Sequence, residues 1–448
     1  MLDYQALQMD DNAHLLHPLH HPNSHKAPLI ITGGHGIWVQ TVDGKKFIDG
    51  LAGLWNILIG HGNQELAEAA YAQMQQLAYF SNYIGVSNLP AIELASKLAG
   101  YAYPSLTSTY FTSGGAEANE SAFKTARYYW KRLGKPTKVK FIARQDAYHG
   151  VTMATMSATG ITPYWPMFEP RVPGFLHTHA PYPYRYEGDI KPGETIGHAA
   201  ARALEEAIIA EGPDTVAAII AEPVQGAGGV IVPPNDYFPR VREICDKYQV
   251  LLIADEVITG FGRTGEIFAL HRWGVEPDIM TFAKGITSGY LPLGGMQISD
   301  QIHEAILSAP PRQSWMHAYT YSGHATCCAV ALKNLEILER EKLTERAEKM
   351  GEKLLAGLEM MRDIDCVGNV RGLGLMCAIE FVADKETKAS AGIAGPILQS
   401  CQQKGLISRI KGESLLLAPP LIINEDEIDQ ILFIVREAIE EVWEKSQN

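Results

Sequence analysis

The sequence has no uninterrupted apolar stretch of about 18 residues or more, the length needed to cross a bilayer. Its first eleven residues lack the order of basic and then apolar residues that marks a signal peptide. Cations are also in deficit, because 38 Lys and Arg against 51 Asp and Glu give a formal net charge of −13. Binding to nucleic-acid phosphates depends on clustered cations. These absences predict a cytoplasmic protein that binds neither a membrane nor a nucleic acid.

Cysteine is scarce, and the six cysteines form no CxxC pair, which is typical of reduced thiols in a cytosolic protein. A histidine-rich start could in principle hold a metal, but its irregular spacing and lack of other ligand types favour an ordered arm, so no metal site is predicted. These histidines are His14, His17, His20, His21 and His25. The chain also lacks a Gly-x-Gly-x-x-Gly motif between an early strand and a helix, which argues against a nicotinamide dehydrogenase.

What the chain does contain is an alternation of apolar strand patterns and helical patterns. Residues 215–221 and 250–254 indicate buried strands, and helically spaced apolar residues between Asn235 and Tyr248 indicate a helix. This order is typical of parallel crossover units. We therefore predict an α/β fold whose large domain, residues 57–325, holds a mostly parallel sheet flanked by helices. A smaller α+β domain combines both chain ends, residues 1–56 and 326–448.

Three ionisable residues follow apolar runs at matching points, namely Glu222, Asp255 and Lys284. Because ligands gather at the carboxyl ends of parallel strands, we expect the three side chains to share one crevice. A lysine in low-dielectric surroundings loses preference for its charged form and becomes a nucleophile toward aldehydes. A carboxylate beside it would suit the ring nitrogen of pyridoxal phosphate. The alternatives are a lysine that reaches solvent and acids that are solvated or paired at strand ends.

An anion cradle is predicted where an apolar run from Thr107 meets Gly114-Gly115 and a helical pattern begins. Free backbone donors and the helix dipole bind phosphate there without a basic side chain. Tyr148 follows another apolar run and offers a ring that could stack on a planar cofactor, with core packing as the alternative. A Gly-Gly turn alone is a weak signal, so the prediction of an anion site depends on the other motifs.

Together these motifs resemble those of class III aminotransferases, in the amine:pyruvate or omega-transaminase branch, over nearly the whole chain. The resemblance is carried by Leu54-Trp-Asn56, Ser113-Gly-Gly-Ala-Glu-Ala-Asn119, Tyr148-His-Gly150, Ala221-Glu-Pro-Val-Gln-Gly-Ala-Gly-Gly229, Asp255-Glu-Val-Ile-Thr-Gly-Phe-Gly-Arg263, Phe282-Ala-Lys-Gly-Ile-Thr-Ser-Gly289 and Thr320-Tyr-Ser-Gly-His324. It implies a fold-type-I transferase with pyridoxal 5'-phosphate as cofactor.

Carried over by position, the resemblance implies that Lys284 forms the imine with the cofactor and then shuttles the substrate proton. Asp255 would pair with the pyridinium nitrogen. Thr320 matches a position that reaches the phosphate of the neighbouring subunit, which implies a homodimer with shared active sites, or a tetramer. The further cofactor contacts that the resemblance implies are Gly114, Gly115, Ala116, Tyr148, His149, Glu222, Gln225, Val257 and Tyr319.

For the substrate, the resemblance implies contacts from Leu19, Trp55, Ile84, Tyr148, Ala227 and Arg409. Arg409 matches a mobile arginine that binds a carboxylate and swings away for amines without one, and Lys411 is a nearby alternative. Leu19 and Ile84 stand where amine-accepting relatives carry phenylalanine, which suggests a different preferred amine.

The predicted activity is a ping-pong transamination that moves an amino group from an amine or omega-amino acid to a keto acid such as pyruvate. An aminomutase or racemase of the same family is an alternative, and so is a transaminase specific for polyamines, β-alanine or taurine. In the small domain we predict a helix from Cys327 toward Met361, strands at 370–380 and 415–423, and Arg409 on a loop. A capping box at 424–427 would start the last helix.

Overall fold

The computed structural model describes residues 3–19, 21 and 27–447, so His20 and His25 of the histidine-rich start lie outside it. The helices are α1 Tyr4–His14, α2 Ala52–Trp55, α3 Gln64–Leu77, α4 Leu89–Tyr101, α5 Gly115–Arg132, α6 Met153–Ala158, α7 Ile196–Glu211, α8 Tyr237–Tyr248, α9 Asp300–Leu307, α10 Ala325–Arg340, α11 Leu343–Glu359, α12 Ala394–Gln403 and α13 Glu425–Ser446. The strands are β1 Ile31–His35, β2 Trp38–Thr41, β3 Lys46–Asp49, β4 Leu106–Thr112, β5 Lys140–Arg144, β6 Phe175–Thr178, β7 Val216–Ala221, β8 Leu251–Asp255, β9 Ile279–Phe282, β10 Gly294–Ser299, β11 Val367–Gly372, β12 Cys377–Phe381, β13 Leu406–Ile407, β14 Arg409–Lys411 and β15 Ser414–Leu417.

The central sheet has the order β4-β10-β9-β8-β7-β5-β6. Strands β5 to β9 pair in parallel, and β10 runs antiparallel to both of its neighbours. All strands except β10 therefore present their carboxyl ends at one edge of the sheet. The prediction of an α/β fold with a mostly parallel sheet is confirmed.

The core lies on both faces of this sheet. Every residue of β7, β8, β9 and β10 is buried. Parallel strands covered on both faces are expected to be continuously apolar, and this is why residues 215–221 and 250–254 show no polar alternation. No helix in the described ranges combines the length and the apolar character that a membrane crossing requires.

The two ends of the chain meet in a smaller sheet, β1-β2-β3-β13, in which β13 pairs parallel to β3 through Leu406 and Ile48. A further sheet, β11-β12-β15-β14, belongs wholly to the C-terminal part. The boundaries at residues 56 and 325 stay a prediction.

The C-terminal part differs from expectation at three points. The helix expected from Cys327 toward Met361 is broken at Lys342, which has a φ of +50° and precedes α11. The strand expected at 370–380 is a hairpin that turns at Gly374, where a Cβ would lie 2.4 Å from the backbone of Thr264. The strand expected at 415–423 ends at Leu417.

Two local predictions in this region also have outcomes. The capping box is confirmed, since Glu427 N donates to Asn424 Oδ1 at 2.9 Å and Asn424 N to Glu427 Oε2 at 3.0 Å. Arg409 lies on the short strand β14 rather than on a loop, because its backbone pairs with Leu416 of β15.

Candidate active site

The carboxyl edge of the central sheet opens into a cavity of about 430 Å³. Glu222 follows β7, Asp255 ends β8, and Lys284 follows β9 by two residues, so the parallel strands bring all three to this cavity. The predicted residues that line it are Gly114, Gly115, Ala116, Tyr148, His149, Glu222, Asp255, Val257 and Lys284.

Lys284 has a φ of +46°, a left-handed conformation that is unusual for a residue other than glycine, and begins a 3-10 turn. Burial lowers the pKa of its ammonium, and Asp255 and Glu222 oppose that shift. The ammonium forms no ion pair or hydrogen bond with any described residue. Its amine is therefore available for covalent chemistry.

Asp255 is held by three donors. Its Oδ2 accepts from His149 Nδ1 at 2.8 Å and from Asn119 Nδ2 at 2.8 Å, and its Oδ1 accepts from the Val257 amide at 3.1 Å. The donors come from α5, from the loop after β5 and from the loop after β8. The carboxylate is therefore fixed from several sides. The other ring nitrogen of His149, Nε2, is buried without a partner among the described residues.

Glu222 is buried and accepts two backbone hydrogen bonds, from Tyr148 N at 3.0 Å and Gly226 N at 2.9 Å. Burial raises the pKa of its carboxyl group, which His149 opposes. The bond from Tyr148 fixes the loop that follows β5. Glu222 thus ties two neighbouring strand ends together beside the lysine.

The amino terminus of α5 points into the cavity with free donors. The first intrahelical bond runs from Ala118 N to Gly114 O at 3.0 Å, which leaves the amides of Gly115 and Ala116 without helical acceptors. A Cβ on Gly115 would lie 2.9 Å from Val257 Cγ1, so glycine is needed for the close approach of α5 to the loop after β8. This terminus can bind an anion.

Arg409 and Lys411 differ in what they contact. Lys411 Nζ pairs with Asp146 Oδ1 at 3.2 Å. The Arg409 side chain forms no hydrogen bond or ion pair with a described residue. Burial raises the pKa of the Tyr148 hydroxyl, and the positive charge of Arg409 opposes this rise. Of these two cations, only Lys411 has a side-chain partner among the described residues.

Three other predicted residues, like Arg409, do not line the cavity. Gln225 is buried, donates to Gln145 O at 2.9 Å and leaves Oε1 without a partner among the described residues. Ala227 is half-buried in the loop after β7. Trp55 is only 2% exposed and belongs to the hydrophobic core, while the next residue, Asn56, lines the cavity.

Four predicted residues are not brought to this cavity within one chain. Ile84 and Tyr319 line a second cavity of about 460 Å³. Ile84 is 99% exposed and Leu19 is 51% exposed. Thr320 is exposed, and its carbonyl accepts from the Tyr79 hydroxyl at 2.6 Å.

The sequence-based selection missed Asn119, which lines the cavity and binds Asp255. In the sequence it stands out only as the last residue of the motif at 113–119. A signal was present, because Asn119 adjoins the stripe formed by Ala118, Ala122 and Ala126, and a polar residue on a buried helical face needs a partner.

The fold and the site define a fold-type-I pyridoxal-phosphate enzyme. The model of the family Aminotransferase class-III matches residues 19–439, and the chain belongs to that family. It is 38% identical over 445 residues to the putrescine–pyruvate aminotransferase of Pseudomonas aeruginosa, which covers 98% of this chain and 96% of that one.

Solved structures agree with this assignment. A thermostable (S)-enantioselective omega-transaminase of Thermomicrobium roseum matches with a TM-score of 0.95 and 46% identity, over 99% of each chain. An omega-transaminase of Pseudomonas jessenii in complex with PMP matches with a TM-score of 0.94 and 39% identity, over 98% of this chain and 99% of that one. The protein is therefore a transaminase.

Pyridoxal phosphate is the cofactor of this family, and the residues present fit it. The helix terminus offers free amides for a phosphate, the Asp255 carboxylate is preorganised, and the Lys284 amine has no competing partner among the described residues. These groups face one cavity.

Proposed function

We propose that the protein transfers an amino group from a carboxylate-free amine or an omega-amino acid to pyruvate by a ping-pong mechanism. The observation that carries this proposal is that the Arg409 guanidinium has no partner among the described residues and its charge acts on Tyr148, while Lys411 is engaged by Asp146. A guanidinium without a fixed partner can bind a keto-acid carboxylate in a bidentate way and can also leave room for an amine that has none. The relative named for putrescine and pyruvate supports this pair of substrates.

In this proposal different residues around the cavity bind different parts of the cofactor. The amides of Gly114, Gly115 and Ala116 would hold the phosphate, and Asp255 would pair with the ring nitrogen. The bound cofactor supplies an electron sink for the carbon that loses a proton. Tyr148 and Val257 would pack against the two faces of the ring, and His149, Glu222 and Gln225 would support the site.

We assign to Lys284 both the covalent attachment of the cofactor and the transfer of the substrate proton at Nζ. Its burial supports this role, because a neutral amine is both the nucleophile and the base. The Glu222 carboxylate opposes part of the lowering of the lysine pKa and forms no ion pair with it. Positioned proton transfer of this kind contributes about 10²–10⁴-fold to a rate.

We further propose a homodimer in which each subunit completes the site of the other. Support comes from the exposed apolar side chains between residues 71 and 92. These are Tyr71, Met74, Leu77, Phe80, Tyr83, Ile84, Val86, Leu89 and Ile92. In such a dimer Ile84, Tyr319, Thr320 and Leu19 would serve the cavity of the partner subunit.

A cytoplasmic location is proposed on the basis of the thiols. All six cysteines are free and buried, which suits a reducing compartment. The division into residues 1–56, 57–325 and 326–448 is likewise proposed, with support from the sheet that unites β1–β3 and β13.

The proposed activity is tested by following alanine formation from putrescine with and without pyruvate. We expect one alanine for each amine consumed and no product when pyruvate is left out. Product formation from a single amino compound without a keto acid would instead indicate the aminomutase or racemase alternative. If putrescine is refused and β-alanine is used, the donors are restricted to omega-amino acids; if both are refused, the amine part of the proposal is wrong.

A further inference from the structure

We infer that Asn119 is a positioning residue that fixes the Asp255 carboxylate toward the cofactor, and that Thr281 in turn fixes Asn119. This inference rests on the proposed role of Asp255. It concerns two side chains, on α5 and β9, that are distant from Asp255 in sequence.

The contacts form a short chain inside the protein. Thr281 Oγ1 lies 2.7 Å from Asn119 Oδ1, and Asn119 Nδ2 lies 2.8 Å from Asp255 Oδ2 and 2.9 Å from the His149 carbonyl. Asn119 is 1% exposed and Thr281 is fully buried. Water therefore cannot readily replace any of these bonds.

The proton positions in this chain have one consistent arrangement. The Thr281 hydroxyl donates to Asn119 Oδ1, and the two amide hydrogens of Asn119 go to Asp255 and to the His149 carbonyl. A flipped amide would direct its oxygen at a carboxylate and a carbonyl, two acceptors without a hydrogen between them. Asn119 thus uses both amide hydrogens and its oxygen, and Thr281 selects the orientation that serves Asp255.

The sheet makes this arrangement rigid. Asp255 and Thr281 are direct partners in the parallel pairing of β8 and β9, and Glu256 N donates to Thr281 O at 2.9 Å. Asn119 lies on the buried face of α5, one turn after Gly115. The helix whose free amides would hold the phosphate therefore also aligns the carboxylate that would face the ring.

The test uses the purified enzyme freed of cofactor and titrated calorimetrically with pyridoxamine phosphate, which binds without a covalent link to Lys284. We expect Asn119→Ala and Thr281→Val to weaken binding about 10-fold, as the loss of a group that orients a ligand-binding side chain typically does. Thr281→Ser keeps the hydroxyl and should restore the affinity to within about twofold. The visible absorption band of the enzyme reloaded with pyridoxal phosphate should shift in the first two variants and return in Thr281→Ser.

Melting of the cofactor-free proteins separates this role from a purely structural one. If Asn119→Ala and Thr281→Val melt lower but bind pyridoxamine phosphate as tightly as the wild type, the inference is overturned. Asp255→Ala is the reference variant. If Asp255→Ala also binds normally, the proposed role of Asp255 fails; if only Asp255→Ala binds weakly, Asp255 keeps its role and Asn119 loses the one inferred here.

Discussion

Arg409 and Lys411 are neighbouring cations of one strand that differ in their side-chain partners. Both lie on β14, but the Lys411 side chain pairs with Asp146, whereas the Arg409 side chain has no partner among the described residues. We predict that Arg409→Ala lowers kcat/KM for pyruvate about 10-fold or more, because a charge-assisted bidentate contact is lost. The kcat/KM for putrescine should change less than about threefold, because that amine has no carboxylate to bind.

Lys411→Ala is the matched control for that experiment, measured by steady-state kinetics with both substrates. It removes a cation two residues from Arg409. The kcat/KM for pyruvate should stay within about threefold of the wild-type value, since a partly exposed ion pair contributes little. If the two variants are equally impaired with pyruvate, Arg409 is not the carboxylate-binding residue.

At the scale of elements, the approach of α5 to the loop after β8 makes a prediction about two adjacent glycines. A methyl group on Gly115 would lie 2.9 Å from Val257 Cγ1, whereas one on Gly114 would have nothing within 4 Å. Gly115→Ala should destabilise the cofactor-free protein by about 1–3 kcal/mol through overpacking. Thermal melting should show this loss in Gly115→Ala, no loss in Gly114→Ala, and recovery in Gly115→Ala with Val257→Ala. Equal melting temperatures for both single variants would contradict this packing.

Much of the site follows from how strands end. Glu222, Asp255 and Lys284 were predictable because each follows an apolar run, and parallel pairing must bring such positions to one edge. The contact of Asn119 with Asp255 spans 136 residues and depends on the rotation of α5, which periodicity defines only within a broad face. The break at Lys342 was missed because good helix formers, Glu339 to Lys342, continue across it. The turn at Gly374 was missed because apolar residues flank it on both sides and conceal it in a one-dimensional pattern.

At the scale of the whole molecule, the exposed apolar residues between 71 and 92 predict the assembly. Ile92 on α4 and Ile209 on α7 are exposed to the same degree, 56% and 55%. Only Ile92 belongs to the exposed apolar residues between 71 and 92. Ile92→Glu should weaken the dimer and reduce activity, because a buried charge at an interface is costly. Ile209→Glu should do neither.

Light scattering coupled to size-exclusion chromatography measures this directly. The wild type and Ile209→Glu should have twice the monomer mass, and Ile92→Glu should shift toward the monomer on dilution. A fully active monomeric wild type would refute the shared-site proposal, including the assignment of Ile84 and Tyr319 to the partner subunit.

Acid stability should depend on His177, whose pKa burial lowers to about 4. Between pH 6.5 and 4 the unfolded chain binds a proton at this histidine and the folded chain does not, so the free energy of unfolding falls as the pH falls. At pH 5 the loss from this one group is about 2 kcal/mol. Melting His177→Gln at pH 7 and pH 5 should give a smaller difference than the wild type. An equal difference would mean that His177 does not titrate in this way.

The most direct test of the amino-transfer account is the visible spectrum of the cofactor-loaded enzyme mixed with putrescine and no keto acid. The yellow band should disappear, and adding pyruvate should restore it with one alanine formed per active site. Lys284→Ala should show neither change at a comparable rate. If putrescine leaves the band of the wild-type enzyme unchanged, the proposed amine half-reaction is contradicted.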